Sequence, residues 1–227
     1  MRAAHYCQEC GKVQPPVPVD YFAFFGLPYK LNLDAAQLER DFYALSRKLH
    51  PDINARADSH EQEWSLEKTS QLNDAYRTLK DPISRTEYLL RLQGVQPEEQ
   101  SKAATERARK TGEVKKQVVP ADLLEEVFEL NMQLEELRMN KKMDEDDPSL
   151  AQDVRAAKEH LIGKQNEMLT ELQASWAQWD ALAGRAAAGE AVAESERAAT
   201  RDAMLAILNR RSYLRNLLRE IDDVLES

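Results

Sequence analysis

Two short groups of residues could do chemistry in this chain, and neither is a catalytic centre. The first is His50-Pro51-Asp52. Pro51 has a fixed φ and disfavours helical geometry in the residue before it, so it sets how the chain leaves a helix ending at His50. Asp52 then offers a carboxylate to a cationic group, and His50 presents an imidazole at a helix C-terminus. Arg47 and Lys48, one turn back, add positive charge to the same surface, where charge acts mainly on encounter rate and orientation. The second group is Cys7-Gln8-Glu9-Cys10-Gly11, a C-x-x-C pair. Structural zinc takes four ligands and one such pair supplies two. His5 is a poorly spaced third. These are the only cysteines in the sequence, which excludes a disulfide framework.

Other polar clusters read as surface. Asp144-Glu145-Asp146-Asp147 lacks the alternate spacing of a calcium loop and lies where a helix N-terminus favours acid. His60 and His160 have no partners at ligand spacing. There is no phosphate-binding glycine loop, HExxH pair or nucleophile elbow. The chain is not expected to be an enzyme.

The elements that position these groups are helices. The 227 residues are 31% charged and 7% aromatic with 7 glycines, and Ala, Leu, Glu, Lys, Arg and Gln dominate. That is the composition of exposed helices, so the fold class is all-α. Residues 1–93 hold 12 basic and 13 acidic side chains, against 19 and 27 in residues 94–227. The acidic second half repels phosphate backbones, which argues against nucleic acid. No apolar run approaches the ~18 residues of a membrane span. Met1 to Tyr6 has neither a signal-peptide core nor a transit pattern, so the cytoplasm is the default expectation.

Prolines and capping residues divide the chain into four parts. Residues 1–19 are a tail ending in the extended Pro15-Pro16-Val17-Pro18. Residues 20–93 hold four helices. Asp20 caps a short aromatic one, Tyr21 to Phe25, closed by Gly26 and Pro28. Asp34 and Gln37 form a capping-box pattern ahead of Leu38, Phe42, Leu45 and Leu49, and Ser59 and Gln62 repeat it ahead of Leu72, Ala75, Tyr76 and Leu79. Asp81-Pro82 opens the fourth, stopped by Gly94. Residues 94–119 read as a polar linker.

Residues 120–227 then follow a heptad-like pattern. Leu123, Val127, Leu130, Leu134 and Leu137 share one face. Leu150, Val154, Ala157, Leu161, Met168, Leu172 and Trp179 mark a second helix, in which Gly163 is a candidate bend. Trp176 and Trp179 fall at or near the inner register. Residues 184–199 read as a loop with some helical content. Met204, Ile207, Leu208, Leu214, Leu217, Leu218, Ile221, Val224 and Leu225 mark a third helix. Three amphipathic helices joined by loops predict an antiparallel three-helix bundle.

The first of these bundle helices carries more apolar residues than one packing face needs. At about 100° per residue, Leu124, Phe128 and Met132 lie on a second face, with Glu125, Glu129 and Glu136 beyond it. From pattern alone two readings stand: packing onto another element, or an acid-rimmed protein-binding patch.

An aromatic first helix, a second ending on His50-Pro51-Asp52, a polar loop and Leu72-Asn73-Asp74-Ala75-Tyr76-Arg77-Thr78-Leu79-Lys80-Asp81-Pro82 together resemble a J-domain. The continuation Ser84-Arg85-Thr86-Glu87-Tyr88-Leu89-Leu90-Arg91-Leu92-Gln93-Gly94 is similar to the HscB family, the J-type co-chaperones of iron–sulfur cluster assembly, and the likeness in layout extends over roughly residues 5–226. The resemblance implies activation of a DnaK/HscA-type chaperone ATPase through His50, Pro51 and Asp52, with Arg47 and Lys48 nearby. J-domains generally carry more basic residues further back on the second helix, where this chain has Glu39, Tyr43 and Ala44. It also implies binding of an IscU-like iron–sulfur scaffold protein through Leu124, Phe128, Glu129 and Met132, with Tyr213 and Leu214 on the last helix. Some relatives carry two C-x-x-C pairs, and Cys7 and Cys10 followed by Gly11 match the second. Three readings stand for the single pair: a start placed too far downstream, a zinc site shared between two chains, or a vestigial pair. No cofactor is required, zinc at Cys7 and Cys10 stays open, and so does a homodimer. Two other functions compete: a general J-protein with another client, and a coiled-coil adaptor in which His50-Pro51-Asp52 is incidental.

Overall fold

The computed structural model describes residues 5–7, 9–95, 119–143, 145 and 147–226. The expected linker lies almost wholly outside the described residues, as do Asp144 and Asp146. Seven α-helices make up the described chain: α1 (Tyr21–Phe25), α2 (Ala35–Leu49), α3 (Ser59–Lys80), α4 (Pro82–Leu92), α5 (Leu124–Lys142), α6 (Pro148–Ala187) and α7 (Glu194–Glu226). The fold is all-α, as predicted. Among the described residues no helix is long and apolar enough to cross a membrane. The chain divides into two compact units, one of residues 1–95 with 176–200 and one of residues 96–175 with 201–227.

In the first unit each early helix starts on a side-chain cap. Asp20 accepts from the Ala23 N–H at 2.9 Å, Asp34 from Gln37 at 3.0 Å and Asp81 from Ser84 at 2.7 Å. Each satisfies one of the N–H groups a helix start leaves unpaired. The cap of α3 is Asp58, which accepts from the Glu61 N–H at 3.0 Å, and not Ser59. Gln62 serves the preceding loop instead, donating to the Ala55 and Ala57 carbonyls. Gly26, at φ 65°, ends α1 in the left-handed conformation that glycine adopts without strain.

Helices α2 and α3 run antiparallel. Leu49 at the end of α2 meets Ser65 and Thr69 near the start of α3. Phe42 stacks on Tyr76 with ring centroids 4.1 Å apart, and Glu39 pairs with Lys80 at 3.7 Å. Phe22, Leu31, Leu38, Leu49, Leu72, Leu79, Leu89 and Leu90 fill the core.

The tail is not a loose spacer. Tyr6 and Val13 form an antiparallel bridge, and Val13 and His5 are buried. This hairpin is pinned by His5 Nε2, which donates to the Phe24 carbonyl at 2.8 Å, and by Lys68 Nζ, which donates to the His5 carbonyl at 3.2 Å.

The unit is completed by residues from far along the chain. Trp176 donates its indole N–H to Thr86 Oγ1 at 2.9 Å, and its ring lies 5.0 Å from the Arg85 guanidinium. Trp179 donates to the Tyr29 carbonyl, and Asp180 accepts from the Leu31 and Asn32 backbone N–H groups at 2.7 and 2.9 Å. The two tryptophans are therefore buried as expected, but in this unit and not in the three-helix bundle. Residues 184–199 hold a short loop between two helix ends. Helix α6 continues to Ala187 through Gly163 and Gly184, a turn with Gly189 at φ 82° follows, and α7 begins at Glu194.

The second unit is the predicted bundle, built from α5, residues 148–175 of α6 and residues 201–226 of α7. Arg138 pairs with Glu220, and Lys141 Nζ donates to the Val224 carbonyl, so α5 and α7 run the same way. Lys158 pairs with Asp222 and Arg210 with Glu171, which sets α6 against α7. Leu123, Val127, Leu130, Leu134 and Leu137 are all buried.

Candidate functional site

The turn at His50 is shaped by an unfinished helix end. The last carbonyls of α2 have no partners within the helix, and α3 and the loop before it supply them. Ser65 Oγ and Thr69 Oγ1 donate to the Leu49 carbonyl at 2.5 and 2.8 Å. Asn54 Nδ2 donates to the Lys48 and His50 carbonyls at 3.2 and 3.0 Å and to Ser65 Oγ at 3.3 Å. His50 itself is extended, at φ −62° and ψ 133°, the geometry Pro51 demands of its predecessor. The backbone then folds back through Ile53 N–H to His50 O and Asn54 N–H to Pro51 O.

On this support the polar groups face water. The His50 and Asp52 side chains are 49% and 89% exposed. The Asp52 backbone N–H donates to His50 Nδ1 at 3.2 Å. An accepting Nδ1 carries no proton, so in the neutral ring Nε2 does. The Asp52 carboxylate lies 3.6 Å from the same Nδ1, and that contact becomes ionic only on a protonated ring, when Nδ1 can no longer accept. The hydrogen bond has the better geometry and describes the neutral loop. Arg47 and Lys48 are both exposed in the last turn of α2. The structure thus brings all five expected residues to one end of the helical pair. Asn54, Ser65 and Thr69 escaped the sequence reading. Their signal is a pair of small hydroxyl residues at i and i+4 on the inner face of a helix, where apolar residues were sought.

The second expected site is divided. Leu124, Phe128 and Met132 are 59%, 67% and 61% exposed, and Glu129 is exposed beside them. None packs into the bundle. Met139 and Met143 are also exposed and continue the stripe at helical spacing, an extension the sequence reading missed. Tyr213 and Leu214 do not join it. They are 5% and 0% exposed, packed in the second unit. Their spacing to Leu217 and Ile221 puts them on the inward stripe of α7, which is the physical reason for the correction.

Cys7 and Cys10 sit at the tip of the N-terminal hairpin, closed by Cys7 N–H to Lys12 O at 2.8 Å and Gly11 N–H to Cys7 O at 3.0 Å. Hydrogen bonds from the Cys10 and Glu9 backbone, and from the Cys10 thiol, hold the Cys7 thiol below its ordinary pKa. Among the described residues the pair gathers no third ligand. His5 spends Nε2 on Phe24 and is buried, and among the described residues no group of three His, Cys, Asp or Glu side chains is gathered for a metal.

Known proteins resemble this arrangement. The DnaJ domain family matches residues 20–88. A co-chaperone protein HscB homolog of Vibrio cholerae is 45% identical over 78 residues, which are 34% of this chain and 46% of the relative. The chain spans about half the length of such relatives. A further HscB homolog, of Vibrio vulnificus, is 33% identical over 167 residues, 74% of this chain and 86% of the relative. Among solved structures, the chaperone HscB from Vibrio cholerae superposes with a TM-score of 0.54 at 26% identity, covering 91% of this chain and 97% of that one. The human co-chaperone protein HscB shares the fold, with a TM-score of 0.63 at 22% identity over 98% of this chain and 90% of that one. With the exposed loop between α2 and α3 and a match over most of a relative's length, the chain belongs to the HscB co-chaperone family.

Proposed function

We propose that this protein is a co-chaperone that stimulates the ATPase of a DnaK/HscA-type chaperone and delivers an IscU-like iron–sulfur scaffold protein to it. One observation carries the reading: His50 and Asp52 stand exposed on a turn braced by Asn54, Ser65 and Thr69 between antiparallel helices. A prebuilt turn costs little ordering when a partner binds, so more of the contact energy appears as affinity. Asp52 supplies an anion for a cationic group of the chaperone. The His50 Nε2–H is a donor, and Arg47 and Lys48 steer approach to an acidic surface. The protein does no bond chemistry of its own in this scheme. It biases the chaperone toward the state that hydrolyses ATP.

The client reading rests on the stripe of Leu124, Phe128 and Met132 beside Glu129. Apolar side chains left in water at helical spacing are what a partner desolvates on binding. Steady-state ATPase assays of the chaperone with this protein, with and without the scaffold, test the scheme. Stimulation by the protein alone, raised further by the scaffold, is expected. Absence of any stimulation removes the co-chaperone role, and stimulation indifferent to the scaffold points to another client.

A further inference from the structure

Lys48 stands in the last turn of α2, two residues before His50, and is held at both ends. Its backbone carbonyl accepts from Asn54 Nδ2 at 3.2 Å. Its Nζ donates to the Tyr6 hydroxyl at 2.9 Å and lies 4.2 Å from the centre of the Tyr6 ring, where the aromatic face attracts a cation. Tyr6 is in turn held by the N-terminal hairpin. Gln14 N–H donates to the His5 carbonyl at 3.0 Å and Cys7 N–H to the Lys12 carbonyl at 2.8 Å, on either side of the Tyr6–Val13 bridge. Val13 is buried, and Lys12 pairs with Glu61 in the first turn of α3 at 3.2 Å. The hairpin therefore runs from the last turn of α2 to the first turn of α3, across the end of the helical pair that bears the loop.

We infer that Tyr6 is a positioning residue for chaperone docking: through it the hairpin holds the Lys48 ammonium in one place beside His50 and Asp52, ready for a carboxylate on the partner. The inference rests on the docking role proposed for that loop. Three features of the contact favour presentation of the charge over masking. Lys48 stays exposed although Tyr6 is half-buried. The ammonium has three donors and spends one on the hydroxyl. A phenol is also a neutral partner, which fixes a cation without cancelling its charge as a carboxylate would. A lysine at a helix end otherwise samples many rotamers, and ordering it when the partner arrives costs entropy that the hairpin has already met.

A double-mutant cycle on the full chain tests this, read as the concentration that gives half-maximal ATPase stimulation of a DnaK/HscA-type chaperone. Tyr6→Ala is expected to raise that concentration about two- to fivefold, as loss of one well-placed charge contact implies. Lys48→Ala raises it at least as much, and adding Tyr6→Ala to Lys48→Ala raises it no further, because the two side chains act as one unit. Tyr6→Phe, which keeps the ring and loses the acceptor, shows a smaller rise than Tyr6→Ala, and it carries the test should Tyr6→Ala melt below the parent. The difference between parent and variant shrinks as salt is raised, since salt screens the charge that Tyr6 positions. An unchanged or lowered concentration in both Tyr6 variants overturns the inference, the second outcome because it means that the ring masks the charge. A Tyr6→Ala effect of full size in the Lys48→Ala background also overturns it, because the residue then acts through the hairpin fold alone. These outcomes leave the docking role standing. Absence of stimulation by the parent protein overturns the docking role itself, and the inference with it.

Discussion

The Asp52 backbone N–H donates to His50 Nδ1 at 3.2 Å, so one polar residue of the loop fixes the ring of the other before any partner arrives. The bond is short-range and depends on the loop keeping its fold. The residues that hold the fold are accordingly as testable as the loop itself.

Asn54 is the first. Its amide donates to the Lys48 and His50 carbonyls and to Ser65 Oγ. Asn54→Ala removes all three bonds, two of them exposed and one part-buried, which costs on the order of 1 kcal/mol. A lowered urea midpoint is expected, together with a clear loss of ATPase stimulation although His50, Pro51 and Asp52 are intact.

The distal segment is the second. Asp180 accepts three hydrogen bonds from the Leu31–Asn32 stretch, two from backbone N–H groups and one from the Asn32 side chain. Asp180→Ala leaves those donors without their acceptor and destabilises the first unit by about 1–3 kcal/mol. Trp176→Ala, which empties a buried indole site, costs about 3–5 kcal/mol. Thermal denaturation followed by circular dichroism measures both. An isolated fragment of residues 20–93 is expected to melt below the full chain.

These contacts show where sequence reading ran out. The stripe of Leu123, Val127, Leu130, Leu134 and Leu137 was legible because a helical period in water has one outcome, burial. The exposed turn was legible because Pro51 permits His50 no helical continuation. Periodicity says that Trp176 and Trp179 are buried but not against what, so they were assigned to the nearest bundle. Asp58 and Glu61 make the same capping shape as Ser59 and Gln62 one residue later, and spacing alone does not choose between them. Tyr213 was placed on the surface by likeness, against its own spacing to Leu217 and Ile221.

The two classes of apolar residue behave oppositely when truncated. Leu124→Ala with Phe128→Ala changes stability little, because both side chains are already in water, and weakens scaffold binding by about tenfold or more, as loss of apolar anchors does. Tyr213→Ala destabilises the bundle by about 3–5 kcal/mol, the cost of emptying an aromatic core site. Calorimetric titration with the scaffold, beside thermal melts of each variant, separates the effects.

Lys68 makes stability depend on pH. Burial pushes its ammonium down to about 8 against an ordinary value of 10.5, with Glu67 opposing the shift. Between about 8 and 10.5 the unfolded chain holds a proton that the folded one has lost, so Lys68 makes stability rise with pH across that window and then level off. Lys68→Met abolishes this part of the rise. Urea midpoints at pH 7.5 and 9.5 for both proteins check the sign.

His50→Gln bears most directly on the loop. The side chain is half exposed and its ring supports no core contact, so the variant is expected to match the parent in helical content and melting temperature. In a steady-state assay with a DnaK/HscA-type chaperone, the parent protein raises the ATPase rate and His50→Gln leaves it at the basal value. A folded His50→Gln variant that stimulates as fully as the parent contradicts the account.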